Sequence, residues 1–593
     1  MTFKVCGWVP VLSSGSTVGT LKELTMKERQ RRVDAIRRRS TPIENHLIDE
    51  YSAGKISRRE FIRRGTVVGM SLPLLGVLAS CASPETETTT TTAAGASTTT
   101  TTAAGATTTT AAAAGPLTVR NGLVAPAGAI DPLTTADEGG LAVLGQSGEY
   151  LAFSASDLSL RPVLAEEWEP NDDGSVWTFR LREGVLFHDG NEMTAADVVA
   201  SIEGVLPGNA ASAFAGVLSP GNTRAVDDFT VEFTLDAPNG NFPYQVSSDN
   251  YNAIILPASF WESYAEGAYE QSFVGTGAWK LENFEQGVMT SFVKNPDYWD
   301  VGNVGPDRIE MHFFADEPAL ITAFQGGEID TISHFSVANG LALLSDANTQ
   351  VVETQASVHR QIHMATDMEP FTDKRVRQAM ALVLNREDIV TGLFNGKADI
   401  GNDHPFAPVF PSTDTSVAQR AQDLAQAQAL LDAAGASGFT VELAGWNGFE
   451  MPTLGQLIQS AAAEIGVTVN LNFTDPGTYY SNFWLTSPFG ITDYGHRGVP
   501  NVFLGAPLRS DGTWNAAHFA NADYDTLVEQ YVAAFDLDTQ RQLAGQIQTL
   551  LLDESPIIFP YFYYFLSAVR PGTTGFEVSA MGHVRMQGVS MGS

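Results

Sequence analysis

A tract of almost pure Thr, Ala and Gly divides this chain into a part that can fold and a part that cannot. The tract covers residues 83–115, and such a composition lacks the apolar side chains needed to bury a core. We therefore expect residues 81–116 to be a disordered tether that reaches roughly 5–6 Å × √n for n residues. The folded part is expected to begin near Leu117 and to run to the C-terminus.

A short apolar run before the tether has the features of an export signal. Arg58-Arg59 stands just before the uncharged run 65–78, which is shorter than the ~20 residues that span a bilayer. The run leads into Leu78-Ala79-Ser80-Cys81, which resembles the lipobox of bacterial lipoproteins. We expect residues 1–80 to be a twin-arginine lipoprotein signal with a long N-terminal region, removed on export, and Cys81 to be lipidated. A transmembrane anchor is the alternative.

The signal predicts a protein held by lipid on the outer face of the cytoplasmic membrane, at the cell surface or in the periplasm. Residues 1–80 contain 14 Lys and Arg against 7 Asp and Glu, and the remainder contains 20 against 61. A surface this acidic repels nucleic acid, so no nucleic-acid partner is expected. Cys6 and Cys81 are the only cysteines, so the folded part can contain neither a disulfide nor a cysteine zinc site.

Strand-like and helix-like stretches alternate along the folded part. Thr194, with Asp197 three residues later, predicts a helix start, and Gly435 predicts the end of another helix. The apolar pattern predicts strands at 176–182, 230–235, 440–443 and 467–473, and helices at 423–434 and 453–465. Alternation of this kind in a long chain favours α/β lobes.

Several short motifs follow one another in a set order and spacing along the folded part. They are RPVLAEEWE at 161–169, GVLFHDG at 184–190, GTGAWKL at 275–281, KNPDYW at 294–299, PFTDKRVRQA at 370–379 and NREDI at 385–389. Together, behind a lipoprotein signal, they resemble the extracellular solute-binding lipoproteins of ABC importers, in the class that carries oligopeptides, dipeptides and nickel chelates. The resemblance covers essentially the whole of 117–593.

The resemblance implies an α/β, two-lobed periplasmic-binding-protein-like fold with an extra subdomain inserted in lobe I. Lobe I would comprise residues 117–357, with the inserted subdomain at about 161–274. Lobe II would comprise residues 358–556, and residues 557–593 would return to lobe I. The strands that join the lobes would lie near the two boundaries, at 358–364 and 557–564.

The function implied by the resemblance is binding and delivery. Closure of the two lobes would bury a small polar solute, with an oligopeptide as the first expectation, and the closed form would deliver it to an ABC permease in the membrane. No enzyme activity and no cofactor are expected. The protein is expected to be a monomer that is attached to the membrane through its lipid.

Lobe II carries four candidate ligand residues in one short segment. Oligopeptide binders of this class hold the α-amino group with an aspartate that precedes a tyrosine, and Asp493 and Tyr494 occupy the matching place. His496 and Arg497 follow, where the family often has an Asp-Pro or Glu-Pro turn, and Arg497 could take a ligand carboxylate. The alternatives are a loop aspartate with a local hydrogen bond and an arginine paired with a neighbouring acid.

Other loops supply the remaining candidates. Dipeptide binders of this class hold the C-terminus of the peptide with an arginine in an early lobe II loop. This chain has Trp446 and Asn447 in that loop and no arginine, which disfavours a strict dipeptide specialist. Trp446 could stack on a ligand or pack in the core, and Asn447 could bond to polar groups. Trp514 and Tyr150 are further loop candidates.

Three other interpretations stay open. The first is a binder of an oligosaccharide or a metal chelate; His359 and His363 are four residues apart, but scattered histidines are a poor metal signal, so no metal site is expected. The second is a secreted hydrolase, although the chain has no H-E-x-x-H motif and no cysteine nucleophile. The third is a peptide sensor that signals to a membrane partner.

Overall fold

The computed structural model describes residues 116–592 except 134, 136, 207–213, 215 and 265–272. The predicted signal 1–80, the lipidation site Cys81 and the tether up to residue 115 lie outside the described residues. Within the described part of the chain, none of the helices has both the length and the hydropathy needed to cross a bilayer.

The described residues alternate between strands and helices, as the sequence predicts. In chain order the strands are β1 Thr118–Val124, β2 Ala152–Ser154, β3 Leu160–Pro162, β4 Ala165–Pro170, β5 Val176–Leu181, β6 Thr223–Asp227, β7 Thr230–Thr234, β8 Trp279–Glu285, β9 Met289–Lys294, β10 Arg308–Phe314, β11 Thr331–Phe335, β12 Gln350–Thr354, β13 His359–Met364, β14 Ala398–Ile400, β15 Thr440–Trp446, β16 Thr468–Thr474, β17 Phe489–Tyr494, β18 Ile557–Ile558, β19 Tyr561–Tyr563, β20 Phe565–Val569, β21 Glu577–Val578 and β22 Val584–Arg585.

The helices lie between these strands. In chain order they are α1 Glu138–Ser147, α2 Ala195–Val205, α3 Phe242–Gln245, α4 Ala258–Glu262, α5 Glu317–Gly326, α6 Val337–Gly340, α7 Lys374–Leu382, α8 Arg386–Phe394, α9 Leu424–Ala434, α10 Met451–Ala463, α11 Pro476–Asn482, α12 Asn501–Gly505, α13 Ala522–Ala533 and α14 Leu537–Glu554. Short 3₁₀ turns occur at Val301–Asn303 and Leu343–Ser345.

Local sequence signals place several of these elements correctly. The predicted strands at 176–182 and 230–235 are β5 and β7. The helix start at Thr194 is confirmed, since its backbone N–H donates to Asp197 Oδ2 at 2.8 Å. Gly435 ends α9 in a left-handed conformation with φ of 67°, as the glycine signal predicts.

Two seven-stranded sheets organise the molecule into two lobes. The sheet of lobe I has the strand order β12-β20-β11-β1-β10-β9-β8. The sheet of lobe II has the order β14-β19-β13-β17-β15-β16, with β18 paired to β13. Each lobe has buried cores of its own: Ile309 and Phe292 lie in a core of lobe I, and Leu443 and Phe489 in a core of lobe II. The α/β class is confirmed.

A four-stranded sheet, in the order β4-β5-β7-β6, lies within the range 161–274. The chain leaves the lobe I sheet after β1 and returns to it at β8. Phe179 of this small sheet shares one continuous apolar core with Ile309 of the large sheet. The small sheet therefore packs onto lobe I, and the boundaries proposed for an inserted subdomain stay a prediction.

The chain passes between the two large sheets at two short segments. One is 355–358, between β12 and β13, and the other is Tyr564, between β19 and β20. The stretches predicted as hinge strands, 358–364 and 557–564, therefore contain β13, β18 and β19 of the lobe II sheet. The crossings between the lobes are the short segments beside them.

Candidate ligand-binding site

The carboxyl ends of the parallel strands in both lobes point towards the crossings. In lobe II, β15 runs parallel to β16 and to β17, and Tyr494 at the end of β17 pairs with His359, just after the crossing 355–358. In lobe I, Phe335 at the end of β11 pairs with Leu566, close to Tyr564. Because ligands of α/β proteins bind beyond the carboxyl ends of strands, the cleft between these two edges is the candidate site.

The pleat of β17 places Asp493 and Tyr494, two neighbouring ligand candidates, on opposite faces of the sheet. Asp493 pairs with Arg360 and Tyr494 pairs with His359, and neighbouring residues of a strand point to opposite faces. Tyr494 stacks on the His359 ring at 5.5 Å and is only 8% exposed. Tyr494 therefore belongs to a packed core, and Asp493 lies on the other face of the sheet.

The carboxylate of Asp493 is held on one side and open on the other. Its Oδ1 accepts hydrogen bonds from Trp446 Nε1 at 2.9 Å and from Tyr480 OH at 2.6 Å. Its Oδ2 accepts none from any residue that the structure describes, and the side chain is half-buried. The two aromatic donors fix the carboxylate, and one oxygen stays available to a ligand.

A buried ion pair lies beside Asp493 on the same face. Arg360 is fully buried and contacts Glu450 through two nitrogens, each at 3.0 Å from a carboxylate oxygen. Tyr561 OH donates to the same carboxylate at 2.6 Å. Burial lowers the pKa of Arg360, but Tyr563, Glu450, Tyr561 and Asp493 together outweigh it, so the pKa is raised. The guanidinium therefore stays charged next to Asp493.

An exposed aromatic ring borders this group. Phe449 is 69% exposed, and its φ of 49° is in the left-handed region. Its ring lies edge-to-face on Trp446 at 5.2 Å, and the Arg360 guanidinium lies 4.9 Å from its centroid. Tyr480 is 40% exposed nearby. Phe449 thus packs on the two residues, Trp446 and Arg360, that lie beside Asp493.

The loop after β17 contains two predicted ligand residues, His496 and Arg497, which bond to the crossing segment 355–358. His496 is buried, and its Nδ1 accepts from the Ser357 backbone N–H at 3.1 Å. Burial and the neighbouring Arg497 lower the pKa of His496 to about 3, so its ring is neutral at physiological pH. The Arg497 backbone N–H donates to Ser357 Oγ at 2.9 Å. Among the described residues, the Arg497 guanidinium finds one acceptor, His496 O at 2.6 Å.

Lobe I contributes a buried carboxylate opposite this loop. Burial raises the pKa of Asp249 to about 7, although the charge of Arg497 lowers it. Oδ2 of Asp249 is buried without a hydrogen-bond partner among the described residues, and it abuts Gly498. Burial also lowers the pKa of Arg497, against the opposing influence of Tyr251 and Asp249.

A second acidic group of lobe I faces the crossing at Tyr564. Glu138 begins α1, and its Oε2 lies 2.7 Å from Nδ1 of His334. The His334 ring stacks on Phe565 at 4.1 Å. The pKa of Tyr563, in lobe II, is raised mainly by burial, and the negative charge of Glu138 adds a smaller increase.

The remaining sequence candidates lie elsewhere or have local partners. Trp514 packs 6.2 Å from the Tyr494 ring, on the face away from Asp493. Tyr150 is buried in lobe I, and its OH donates to Tyr251 O at 2.9 Å. Asn447 is exposed, and its amide donates to Phe473 O at 3.1 Å. Of these candidates, Trp446 alone bonds to the Asp493 side chain in the described structure, and the binding roles of all of them, Asp493 included, stay predictions.

The histidines on β13 have structural partners. His359 Nδ1 bonds to Ser357 O at 2.6 Å, and His363 Nε2 bonds to Ser487 O at 3.2 Å. Burial lowers the pKa of His359 to about 3 and that of His363 to about 4. The described residues contain no group of three or more His, Cys, Asp or Glu side chains suited to a metal ion.

The chain contains a G-x-S-x-G string, the hydrolase motif, at residues 588–592. In a hydrolase the serine of this motif sits on a sharp turn from a strand into a helix. Ser590 instead forms an antiparallel bridge with Thr574, and their hydroxyl oxygens lie 2.9 Å apart. No helix follows within the described residues, so the string does not form a nucleophile elbow.

Several site residues have no signal in the sequence. They are Glu138, Asp249, His334, Arg360, Phe449, Glu450 and Tyr480. Phe449 and Glu450 follow a loop that the sequence does single out, at Trp446. The others come from distant parts of the chain, and only the strand register and the approach of the lobes bring them to this edge.

Comparisons with known proteins agree with this architecture. Residues 159–500 match the family described as bacterial extracellular solute-binding proteins, family 5 Middle. Heme-binding protein A of Haemophilus influenzae is 26% identical over 477 residues, covering 74% of this chain and 85% of that protein. Glutathione-binding protein GsiB of Escherichia coli K12 is 26% identical over 479 residues, covering 76% and 90%.

Solved structures show the same fold. The structure of HbpA2 from Haemophilus parasuis superposes with a TM-score of 0.73 at 22% identity, covering 80% of this chain and all of that one. The neighbours are two-lobed periplasmic binding proteins, which confirms the predicted two-lobed fold. The family match spans more than half of the chain, and the chain therefore belongs to the bacterial extracellular solute-binding proteins of family 5.

Proposed function

We propose that this protein is a lipid-anchored receptor that captures an oligopeptide between its lobes and delivers it to an ABC permease. Members of its family bind small solutes such as peptides, work with ABC permeases and are not enzymes. The observation that carries the proposal is the open Oδ2 of Asp493 at the carboxyl edge of the lobe II sheet. A carboxylate in this setting is suited to the α-ammonium of a peptide.

Arg497 supplies a group of opposite charge on the same loop. Its guanidinium has donors to spare, because one carbonyl is its only acceptor among the described residues. A guanidinium binds a carboxylate in a bidentate manner. We assign Asp493 to the amino end of the ligand and Arg497 to an acidic group further along it.

The relatives are named for different ligands, so the ligand class of this chain has to be determined by experiment. One relative is called a heme-binding protein and another a glutathione-binding protein, at the same 26% identity. A non-peptide solute, such as an oligosaccharide or a chelate, is the alternative for this chain. Mass spectrometry of ligand released from natively purified protein decides between them: a ladder of short peptides supports the proposal, and a single sugar, chelate or porphyrin contradicts it.

The anchor and the export route are a separate part of the proposal. Arg58-Arg59 and Cys81 support twin-arginine export and lipidation. Replacing both arginines by lysine is expected to keep the unprocessed chain in the cytoplasm. Cys81→Ala is expected to abolish labelling by radioactive palmitate. Normal export of the double lysine variant, or labelling of the Cys81→Ala variant, would contradict the corresponding assignment.

A further inference from the structure

One leucine of lobe I lies in an apolar core of lobe II. Leu158 is at the turn of the hairpin formed by β2 and β3. It is 2% exposed, whereas Ser156, Asp157 and Ser159 around it are exposed. The other buried members of the core that contains Leu158 lie between residues 406 and 562, in lobe II. The tip of this lobe I hairpin is therefore buried in the other lobe.

Residues of lobe I hold Leu158 in an unusual conformation. Its φ of 61° is in the left-handed region, which is unfavourable for a residue with a β-carbon. Tyr244 of α3 donates its OH to Leu158 O at 2.6 Å, and the Leu158 N–H donates to Ala155 O at 2.9 Å. Strain of this kind persists only where the surroundings fix it, and it often marks a functional element. A leucine that its own lobe fixes and the other lobe buries is suited to joining the two.

A second contact between the lobes lies just before α3. The Gly240 N–H donates to Val532 O, near the end of α13, at 2.9 Å. Asn241 is 6% exposed, and its side-chain amide donates to Asn501 Oδ1 at 3.0 Å. Its Oδ1 accepts from Gln540 Nε2 at 3.2 Å. Because Val532, Asn501 and Gln540 all belong to lobe II, these hydrogen bonds cross the boundary between the lobes.

The two lobes approach each other too closely at Gly240 for any side chain. A β-carbon built on Gly240 would lie 2.0 Å from Ala534 O, and its three nearest atoms belong to Ala534 and Phe535 of lobe II. Gly240 is not among the glycines with a left-handed φ, so its own backbone admits alanine. The approach of lobe II is therefore what requires glycine at this position.

We propose that Leu158, Gly240 and Asn241 form a latch that keeps lobe I in contact with lobe II when no ligand is bound. The latch goes beyond the proposed function, because its contacts are separate from Asp493 and Arg497, the residues assigned to the ligand. It makes the joined arrangement of the lobes the major state of the empty protein. Ligand enters through a minor open state, which in such equilibria is about 0.1–10% populated. The ligand then does not have to supply the free energy that brings the lobes together.

The distance between the lobes of the empty protein tests the latch. Spin labels are attached to cysteines at the exposed residues Leu341 of lobe I and Leu457 of lobe II, in a chain whose Cys6 and Cys81, its only cysteines, are replaced by serine. Mass spectrometry verifies that the protein is free of ligand. Pulsed electron paramagnetic resonance is expected to show one main distance for this parent protein. Gly240→Ala is expected to add a longer distance and to raise the share of open molecules at least about fivefold.

Leu158→Ala is a second, independent variant, because it removes the apolar contact and leaves Gly240 unchanged. It is expected to open the empty protein in the same direction. Two controls should keep the parent distance: Gly302→Ala, where a β-carbon meets nothing within 4 Å, and Val226→Ala, at a residue of lobe I that is 48% exposed. Circular dichroism verifies that each variant is folded.

Two outcomes would overturn the latch. One is a parent protein that shows mainly the longer distance without ligand, and the other is a distance that neither Gly240→Ala nor Leu158→Ala changes. A failure of the oligopeptide assignment is distinguishable, because these distances are measured without ligand and do not depend on the released-ligand spectrum.

Discussion

Asp249 of lobe I lies directly against Gly498 of lobe II, in a space that no side chain at position 498 could share. A β-carbon built on Gly498 would overlap the Asp249 carboxylate. Arg497, next in the chain, acts on the same carboxylate by its charge. This contact joins the lobes close to the crossing 355–358, against which the same loop lies, and we expect it to respond to lobe closure.

Gly498→Ala is expected to weaken ligand binding because the added methyl prevents this contact. Overpacking of this kind costs about 1–3 kcal/mol, which corresponds to roughly five- to 150-fold in affinity. Calorimetric titration with the released ligand measures the loss, and small-angle scattering should show a more open protein with ligand present. Gly505→Ala is the matched control, because a β-carbon there meets nothing within 4 Å. Unchanged affinity and scattering of Gly498→Ala would contradict a role in closure.

Ligand affinity is expected to fall as pH rises towards neutrality. Burial raises the pKa of Asp249 to about 7 where it lies against Gly498, whereas an exposed aspartate titrates near 3.9. We expect lobe opening to expose this carboxylate, so the closed state would bind a proton that the open state releases. Closure is therefore expected to be most favourable at pH values below the ordinary aspartate pKa. Its free energy becomes less favourable as pH rises and stays constant above about pH 7. The change is at most about tenfold per pH unit.

Titrations at pH 5, 6, 7 and 8 measure this dependence. Asp249→Asn keeps the shape of the side chain without its ionisation and is expected to give a nearly flat profile over this range. Arg497 and Tyr251 also face this region, and the comparison with Asp249→Asn separates their influence from that of Asp249. A wild-type profile that is flat, or that rises with pH, would exclude Asp249 as the group that links closure to pH.

Asp493→Asn is expected to weaken binding of peptides with a free amino terminus. The substitution keeps a side-chain oxygen near Trp446 and Tyr480 but removes the negative charge, and a charged hydrogen bond contributes about 1.5–3 kcal/mol. We therefore expect a loss of roughly 10- to 150-fold for a released peptide. The same peptide with an acetylated amino terminus should bind both proteins equally and weakly. An equal loss for both peptides would assign Asp493 a structural role.

Arg360→Met is expected to destabilise the protein, because it leaves the Glu450 carboxylate without its cation. The Arg360 side chain is 1% exposed and that of Glu450 is 16% exposed, and breaking a buried pair costs about 3–5 kcal/mol. Urea unfolding followed by tryptophan fluorescence measures the change. The double variant with Glu450→Gln should recover part of the loss, since the carboxylate that Arg360 contacts directly is then replaced by a neutral amide. Stability of Arg360→Met within about 1 kcal/mol of wild type would contradict the pair's importance.

Elements with local causes were predictable from the sequence. The capping pair Thr194 and Asp197 and the terminating Gly435 act within a few residues, and alternation identified strands such as β5 and β7 because the pleat has a period of two. The ordered motifs identified the two-lobed family. These signals act within a few residues or accumulate over hundreds of residues. They can therefore be recognised in the sequence without knowing which residues are in contact.

The residues that share a face of the site were not predictable in this way. Asp493 and Tyr494 are adjacent in sequence, yet the pleat sends Tyr494 into an aromatic core. Trp446 reaches Asp493 across 47 positions, and Arg360 reaches Glu450 across 90. Strand register and chain crossings decide which of these residues contact one another. Neither can be inferred from composition.

The sequence by itself determined the α/β class and the family, and it predicted that Asp493 and its neighbours contact the ligand. Only the tertiary structure decided that two aromatic side chains bond to one oxygen of Asp493 and leave the other open. It alone also decided that Tyr494 and Trp514 pack in a core, and that Asp249 lies against Gly498. The physical reason is that each of these depends on distances between groups far apart in the chain, which packing of the two sheets and approach of the two lobes alone determine.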